Sequence, residues 1–467
     1  MAREKYKFRM YQELARSART ILEKASALAE KSPEDAARPS HAPESPPRRM
    51  PPEGEAGDVL ELVEKIRGIV KDAYGEAYDA CPVSSTGSGL ALLRAAAIPC
   101  FGAAESEGLP GEDRWAVVLR QKPSEMVAGL RPLPPKYALL PEFTAAINQN
   151  AKTHPRAFVV PLAGATYSYH GIIPAPVAML AGAHTEPTLD AVAAAAEACL
   201  PHLSAIIAMG TGIPGCGFSP VDENGLPELH AGLGEIASEY DVPLLLDSST
   251  AIPFLGPDLS KLKVAGAVFG PFGKGGPGII IGTEELVVPL LEMSPGSGSH
   301  GRGHSVPGYG LEPHLPGPHF LVETLELVRS ALEDPELFKK AVDKLYDIAV
   351  EELSPLKDEF KQPLLFRKSY ETLSIEVNYE DTWDDGIGFP VFSFRDIRHG
   401  THLIREGLKS MGAMNISVLD ASIVLQIPRK TLAQAQNPQA DLETLRQDLR
   451  SLVALLKIIG EEIGYPV

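Results

Sequence analysis

Two stretches decide the fold: Pro243-Leu-Leu-Leu-Asp247-Ser-Ser-Thr250 and, beginning 23 residues after that aspartate, Gly270-Pro-Phe-Gly-Lys274-Gly-Gly-Pro-Gly-Ile-Ile-Ile-Gly282. An aspartate that closes a wholly apolar run sits at the carboxyl end of a strand buried on both faces, where open α/β sheets present their ligands. Alone it would serve equally as a helix cap or a ribose ligand. The second stretch holds one lysine among glycine, proline and apolar residues, and an apolar strand follows at once. A lysine in an apolar, glycine-lined cleft can have a depressed pKa and act as an amine nucleophile toward an aldehyde. The competing assignment is a surface lysine that reaches past apolar neighbours into water.

Outward from these stretches, apolar runs and helical periodicity alternate. The pattern predicts helices at Val59–Tyr74, Leu90–Ala97, Leu189–Leu200 and Leu226–Tyr240, and strands at Ala157–Leu162, Ala205–Met209, Pro243–Asp247 and Gly278–Ile281. Short apolar strands separated by helices of about a dozen residues imply parallel βαβ units with both sheet faces covered. Beyond the Gly/Pro/His-rich stretch 294–319 the pattern changes to long helices over Phe320–Leu353, strands near Ser374–Val377 and Ser422–Ile427, and a helix from Leu442 to Ile463. The expected organisation is an N-terminal helical arm at 1–30, a Pro-rich linker at 31–58, a large domain at 59–319 and a smaller α+β domain at 320–467. The linker holds seven prolines and almost no large aliphatic residue, so it cannot bury a core. The arm carries seven Lys or Arg against three Glu up to Lys24. It is expected to pack on the body or on a partner subunit.

Composition excludes several classes. A net charge of −18 repels phosphate backbones, so nucleic acid is not an expected partner. No run of about 18 uncharged apolar residues is present, which predicts no membrane span, and the basic start lacks the apolar core of a secretory signal. Cys81, Cys100, Cys199 and Cys216 have no C-x-x-C spacing, which argues against a disulfide framework or a closed zinc site. A soluble, reduced, cytoplasmic protein is expected.

An aspartate at one strand end with a lysine on a following segment is what pyridoxal phosphate chemistry needs. The lysine holds the cofactor as an imine. The aspartate keeps the pyridine nitrogen protonated, which makes the ring an electron sink for a carbanion at the substrate α-carbon. Here the sequence resembles the fold type I pyridoxal-phosphate enzymes, nearest the branch of selenocysteine synthase and the class V aminotransferases with cysteine desulfurases. The resemblance rests on Lys274-Gly-Gly-Pro-Gly-Ile-Ile-Ile-Gly-Thr-Glu-Glu-Leu-Val, the upstream strand with Asp247, and the helix before it, and covers roughly residues 80–290. It departs at Gly273, where a polar residue usually precedes the lysine, and at Thr250, where His or Gln is frequent.

The resemblance implies further site residues. Val83-Ser-Ser85-Thr86-Gly87-Ser88-Gly89 would cradle the phosphate, since amides at a helix N-terminus with small hydroxyls form an anion site; an ordinary N-cap after a turn is the alternative. Gly164-Ala-Thr-Tyr167-Ser-Tyr169-His170-Gly171 would supply a side chain against the cofactor ring, with His170 favoured over Tyr167 and Tyr169. Thr211 would lie near the active site and Thr250 near the ring hydroxyl. Arg429, just past Gln426, and Arg302 are the candidate contacts for the substrate carboxylate, the latter from a loop reaching across a dimer interface. A homodimer or larger assembly is implied.

Other patterns compete. Gly210-Thr-Gly212-Ile-Pro-Gly215 spells G-x-G-x-x-G after a strand, but Pro214, Gly217, Pro220 and Gly225 forbid the helix that a dinucleotide-binding oxidoreductase would open there. His300, His304, His314 and His319 cluster without a nearby Cys or carboxylate pair, so no metal site is expected. The expected function is a pyridoxal-phosphate-dependent transferase or β-elimination lyase acting on an amino acid or aminoacyl substrate. The alternatives are a class V aminotransferase or cysteine desulfurase, and a non-catalytic regulatory protein that keeps the fold. All four cysteines precede Lys274, whereas a persulfide carrier belongs on a loop near the small domain.

Overall fold

The computed structural model describes residues 16–29, 58–86, 89, 93, 114–120, 172–178, 185–200, 203–210, 221–270, 276–292, 316–353, 364–379, 397–413, 416–419, 422–427 and 438–463. The chain divides into two compact units, one of residues 50–335 and one of residues 1–49 with 336–467.

The unit 50–335 is built on a seven-stranded sheet in the order β1-β7-β6-β5-β4-β2-β3. The strands are β1 (Tyr78–Val83), β2 (Arg114–Arg120), β3 (Ile172–Ala178), β4 (Leu203–Met209), β5 (Leu244–Ser248), β6 (Val264–Phe269) and β7 (Gly278–Thr283). β7 is antiparallel to both β1 and β6, and the pairs β6–β5, β5–β4, β4–β2 and β2–β3 are parallel. β1 therefore runs with the parallel strands, and β7 alone runs against them.

Central strands are apolar throughout because both faces are covered: Leu244, Leu245, Ile279, Ile280 and Ile281 are all buried. Each such side chain contributes about 1.5–3 kcal/mol when fully buried. Helix α2 (Val59–Tyr74) is capped by Asp58, whose carboxylate accepts the Leu60 N–H at 3.0 Å, and it buries Leu62, Val63, Ile66 and Val70 along one face. α3 (Thr185–Ala198), α4 (Glu228–Glu239), α5 (Glu284–Glu292) and α6 (Pro318–Glu333) belong to the same unit, and a further helix includes Thr86, Gly89 and Leu93.

β1, β2, β3 and β6 have no counterpart among the expected strands. β3 crosses Pro174 and Pro176, which reads as a break; it is an edge strand paired only with β2, where a missing N–H can face away from the ladder. β6 is Val-Ala-Gly-Ala-Val-Phe, too rich in small residues to stand out as an apolar run. β1 carries Asp79, a buried carboxylate held by Arg67 of α2 through bonds of 2.8 and 2.6 Å. The strand expected at Ala157–Leu162 lies outside the described residues.

The second unit holds a four-stranded antiparallel sheet in the order β10-β11-β9-β8, with β8 Leu364–Ser369, β9 Ser374–Tyr379, β10 Ile416–Leu419 and β11 Ser422–Gln426. Its helices are α1 (residues 16–29), α7 (Pro335–Leu353), α8 (Ile397–Ser410) and α9 (Pro438–Ile463). The helical run expected over Phe320–Leu353 is two helices, divided at Asp334 ahead of Pro335, as a proline requires. α1 buries Ile21 and Ala25, and its Lys24 ammonium donates to the Glu462 carboxylate of α9. Residues 16–29 of the basic arm thus pack within the unit that holds the C-terminal helix.

Candidate active site

The parallel register sets Met209, Asp247 and Val268 side by side at the carboxyl edge of the sheet, with Ser248 beside Phe269 and Phe269 beside Ile279. Asp247 is half-buried there, and its Oδ1 accepts the Ser249 N–H at 3.2 Å, so the carboxylate also closes its own turn. The Gly210 N–H donates to the Asp247 carbonyl at 2.8 Å, locking the end of β4 to β5. A Cβ on Gly210 would lie 2.2 Å from Ser248 Oγ, so only glycine admits this approach.

The stretch expected to cradle a phosphate begins at the end of β1. Thr86 and Gly89 are already helical, and the Gly89 N–H donates to the Ser85 carbonyl at 3.0 Å. The helix therefore begins inside the Ser/Thr/Gly motif and not at Leu90, because Ser85 opens it as an N-terminal cap. Its first amides lie within the stretch expected to hold an anion. The Thr86 N–H is taken by the Gly276 carbonyl at 2.9 Å. Thr86 is buried, with its Cγ2 3.0 Å from where a Cβ would stand on either Gly270 or Gly278.

Lys274 lies outside the described residues, but the described residues on both sides of it converge on this edge. The Gly270 N–H donates to the Ala251 carbonyl at 3.1 Å, in the turn that follows Asp247, and the Gly276 carbonyl is held by Thr86. The connection 270–277 leaves β6 beside Ser248 and enters β7 beside Val83. The structure therefore brings together Asp247, Thr250, Ser85, Thr86 and both flanks of Lys274. Gly87, Ser88, His170, Thr211, Arg302 and Arg429 lie outside the described residues, as do Tyr167 and Tyr169. The first described strand after the expected cradle is β2, and the strand expected ahead of Gly164 lies outside the described residues. Gln426, in the other unit, donates its amide to the Thr372 carbonyl at 3.0 Å and so holds the β8–β9 turn.

Topology locates the crevice independently. From β2 the chain moves outward to β3, then returns to β4 on the other side of β2 and proceeds through β5 to β6. The order reverses between β2 and β4, and ligands of open α/β sheets bind outside the carboxyl ends at such a reversal. The β2–β4 ladder ends at Val118 and Ile207, two residues before β4 itself ends at Met209, so the strands part at that point.

Sequence reasoning passed over His230. It lies on the apolar face of α4 with Leu233 and Ala237, and that placement is the only signal it carries. His230 is buried, with Nε2 3.0 Å from the Met209 carbonyl oxygen and Nδ1 without a partner among the described residues. Burial pushes its pKa down to about 4, against the smaller opposing pull of the Met209 carbonyl. Nε2 accordingly carries the proton and donates.

The dinucleotide pattern at Gly210–Gly215 follows β4, and α4 opens only at Glu228 after the Val221–Pro227 bridge. Among the described residues no group of His, Cys, Asp or Glu could hold a metal ion, and no helix is long and apolar enough to cross a membrane.

No protein-family model matches the sequence, and no curated protein matches it. Solved structures do. A transaminase with L-ala aligns at 15% identity over 85% of each chain with a TM-score of 0.50. An (S)-enantioselective omega-transaminase from Thermomicrobium roseum aligns at 14% identity over 86% of this chain and 78% of its own, also at 0.50. A SepCysS–SepCysE N-terminal domain complex aligns at 13% identity over 85% of each chain, at 0.46. With its mostly parallel sheet, single antiparallel strand and appended α+β unit, the chain has the fold of the fold type I transferases.

Proposed function

We propose that this chain is a pyridoxal-phosphate-dependent enzyme that acts on an amino acid or aminoacyl substrate, as a transferase or a lyase. One observation carries the proposal: a strand-end carboxylate, a helix-opening Ser/Thr pair and both flanks of a lone lysine meet at the carboxyl edge of one sheet. The donor set suits the two ends of the cofactor. Asp247 offers a carboxylate for a protonated ring nitrogen; Ser85, Thr86 and Ser88 offer hydroxyls, and Gly87 and Ser88 helix-start amides, for a phosphate.

When bound, the cofactor would supply an electron sink for negative charge at the substrate α-carbon. The chain's residues do the remainder. Asp247 keeps the proton on the ring nitrogen, and its position is held by the Ser249 amide and by Gly210. Thr250 lies in the turn after Asp247, near enough in sequence to meet a ring substituent. Lys274 would hold the cofactor through its amine and, with that amine free, would be the group to move the α-proton. The two anchored glycines hold the ends of its segment. Transfer, elimination and transamination all use this half of the site.

Absorbance of the purified protein after addition of pyridoxal phosphate tests the proposal, followed by borohydride reduction and peptide mapping. The expected result is a band at the visible edge and a reduced label on Lys274. Lys263 is engaged by Glu235 at 2.5 Å. A label on Lys261 or Lys263, or no uptake of the cofactor, would overturn the assignment.

A further inference from the structure

Among the described residues the Met209 carbonyl has no ladder partner in the sheet. Within a strand successive residues direct their backbone groups to opposite neighbours. Ile206 and Gly210 donate to Pro243 and Asp247 of the β5 side, so Met209 faces the β2 side. There the ladder has already ended, at the pair Val118–Ile207. The Met209 carbonyl thus points to the side where the strand order reverses, on the residue paired with Asp247.

His230 fills that vacancy from the helix layer, with Nε2 3.0 Å from the oxygen. A leucine at this point of α4 would continue the apolar face formed with Leu229, Leu233 and Ala237 and would leave no buried nitrogen unpartnered. The imidazole is retained in a place where only its one hydrogen bond is used. We propose that His230 is a positioning residue, whose Nε2–H replaces the ladder bond that β2 ceases to supply and so fixes the β4 terminus, Gly210 and Asp247 for the cofactor ring. The last element of this proposal rests on the function proposed above; the first two do not.

The test uses the full chain with His230→Gln, whose amide can occupy the Nε2 position, His230→Asn, whose amide reaches only the Nδ1 position, and His230→Leu, which donates nothing. Hydrogen exchange of the Gly210 amide is read without cofactor, and pyridoxal phosphate affinity is read by absorbance titration. Exchange in the Leu and Asn variants should rise on the order of tenfold, the scale of one lost hydrogen bond, with the Gln variant near wild type. Cofactor affinity should fall in the same order. Should the Leu variant fail to fold, the Gln–Asn pair decides alone. Unchanged Gly210 exchange in both the Leu and Asn variants, or equal impairment of all three, would overturn the proposal. A wild type that binds no cofactor refutes the proposed function, and the exchange arm still decides whether His230 fixes the strand end.

Discussion

Gly270→Ala puts one methyl group into the junction between the Asp247 turn and the cradle. Its Cβ would stand 2.0 Å from the Ser249 carbonyl oxygen, 2.9 Å from the Ser249 carbonyl carbon and 3.0 Å from Thr86 Cγ2. Carbon meets its neighbours at about 3.5 Å, so the chain must retreat by more than about 1 Å, and a backbone carbonyl cannot rotate aside as a side chain would. The retreat lengthens the Gly270–Ala251 bond, now 3.1 Å, past hydrogen-bonding distance. Overpacking costs about 1–3 kcal/mol, and an orphaned buried carbonyl a further 1–3 kcal/mol or so. A loss of about 3 kcal/mol or more is expected, roughly 5–10 °C in Tm. Because Gly270 anchors the segment holding Lys274, cofactor uptake should be lost at temperatures where the fold survives. Gly68→Ala is the control: it lies within α2 with nothing within 4 Å of the added carbon. It should stabilise by about 0.5–1 kcal/mol. Calorimetry and cofactor titration of both variants check this, and a Gly270→Ala protein that melts and binds cofactor like wild type refutes the reasoning.

His230 should make the fold sensitive to acid. Burial lowers its pKa to about 4, whereas the unfolded chain takes the proton near 6.5. Stability is therefore full above pH 6.5 and is lost as pH falls toward 4, by about 3 kcal/mol at the acid end. His230→Gln should flatten this part of the profile in urea titrations at pH 7 and 4.5; identical profiles would show that the imidazole is not the group concerned. Arg67→Met removes the guanidinium from the buried Asp79 carboxylate, leaving it the Ala80 N–H at 2.7 Å and Lys71 at 3.9 Å. The loss should be about 3 kcal/mol, partly recovered by adding Asp79→Asn; no recovery would mean that Arg67 acts through packing alone. Asp247→Asn should keep bound cofactor but lower turnover at least a hundredfold, on the order of 3 kcal/mol, and near-normal turnover would show that the ring nitrogen is held elsewhere.

What the sequence showed and what it hid divide along physical lines. β4, β5 and β7 are legible because burial on both faces gives each an unbroken aliphatic run, at Ile206-Ile207, Leu244–Leu246 and Ile279–Ile281. β6 is hidden because its bulk comes from elsewhere: Leu93 and Leu286 fill the space above Gly266, where a Cβ would meet them at 2.6 and 2.8 Å. Missing β6 hid the direction of β7 too. Between Phe269 and Gly278 only residues 270–277 remain, too few for the crossover of a dozen or more residues that joins parallel strands. His230 reads as one polar interruption in an apolar helix face, and nothing in the sequence says that the carbonyl opposite it has lost its ladder partner.

The reversed strand is what allows the proposed site to exist. Ser85, Thr86, Asp247 and Lys274 span nearly 190 residues of chain, and no spacing rule joins them. A parallel β7 would start at the amino edge of the sheet, carrying Gly276 away by the length of a six-residue strand, about 20 Å. Running antiparallel, it starts where β6 ends, so the lysine segment stays beside Asp247. β1 pairs with β7 in the antiparallel sense again, which returns β1 to the direction of the other strands and puts Val83 opposite Gly278. The cradle must then open at the same edge. Two successive reversals, β6 to β7 and β7 to β1, thus place a carboxylate, an anion cradle and the ends of a lysine segment within one crevice, and neither reversal alone would do so.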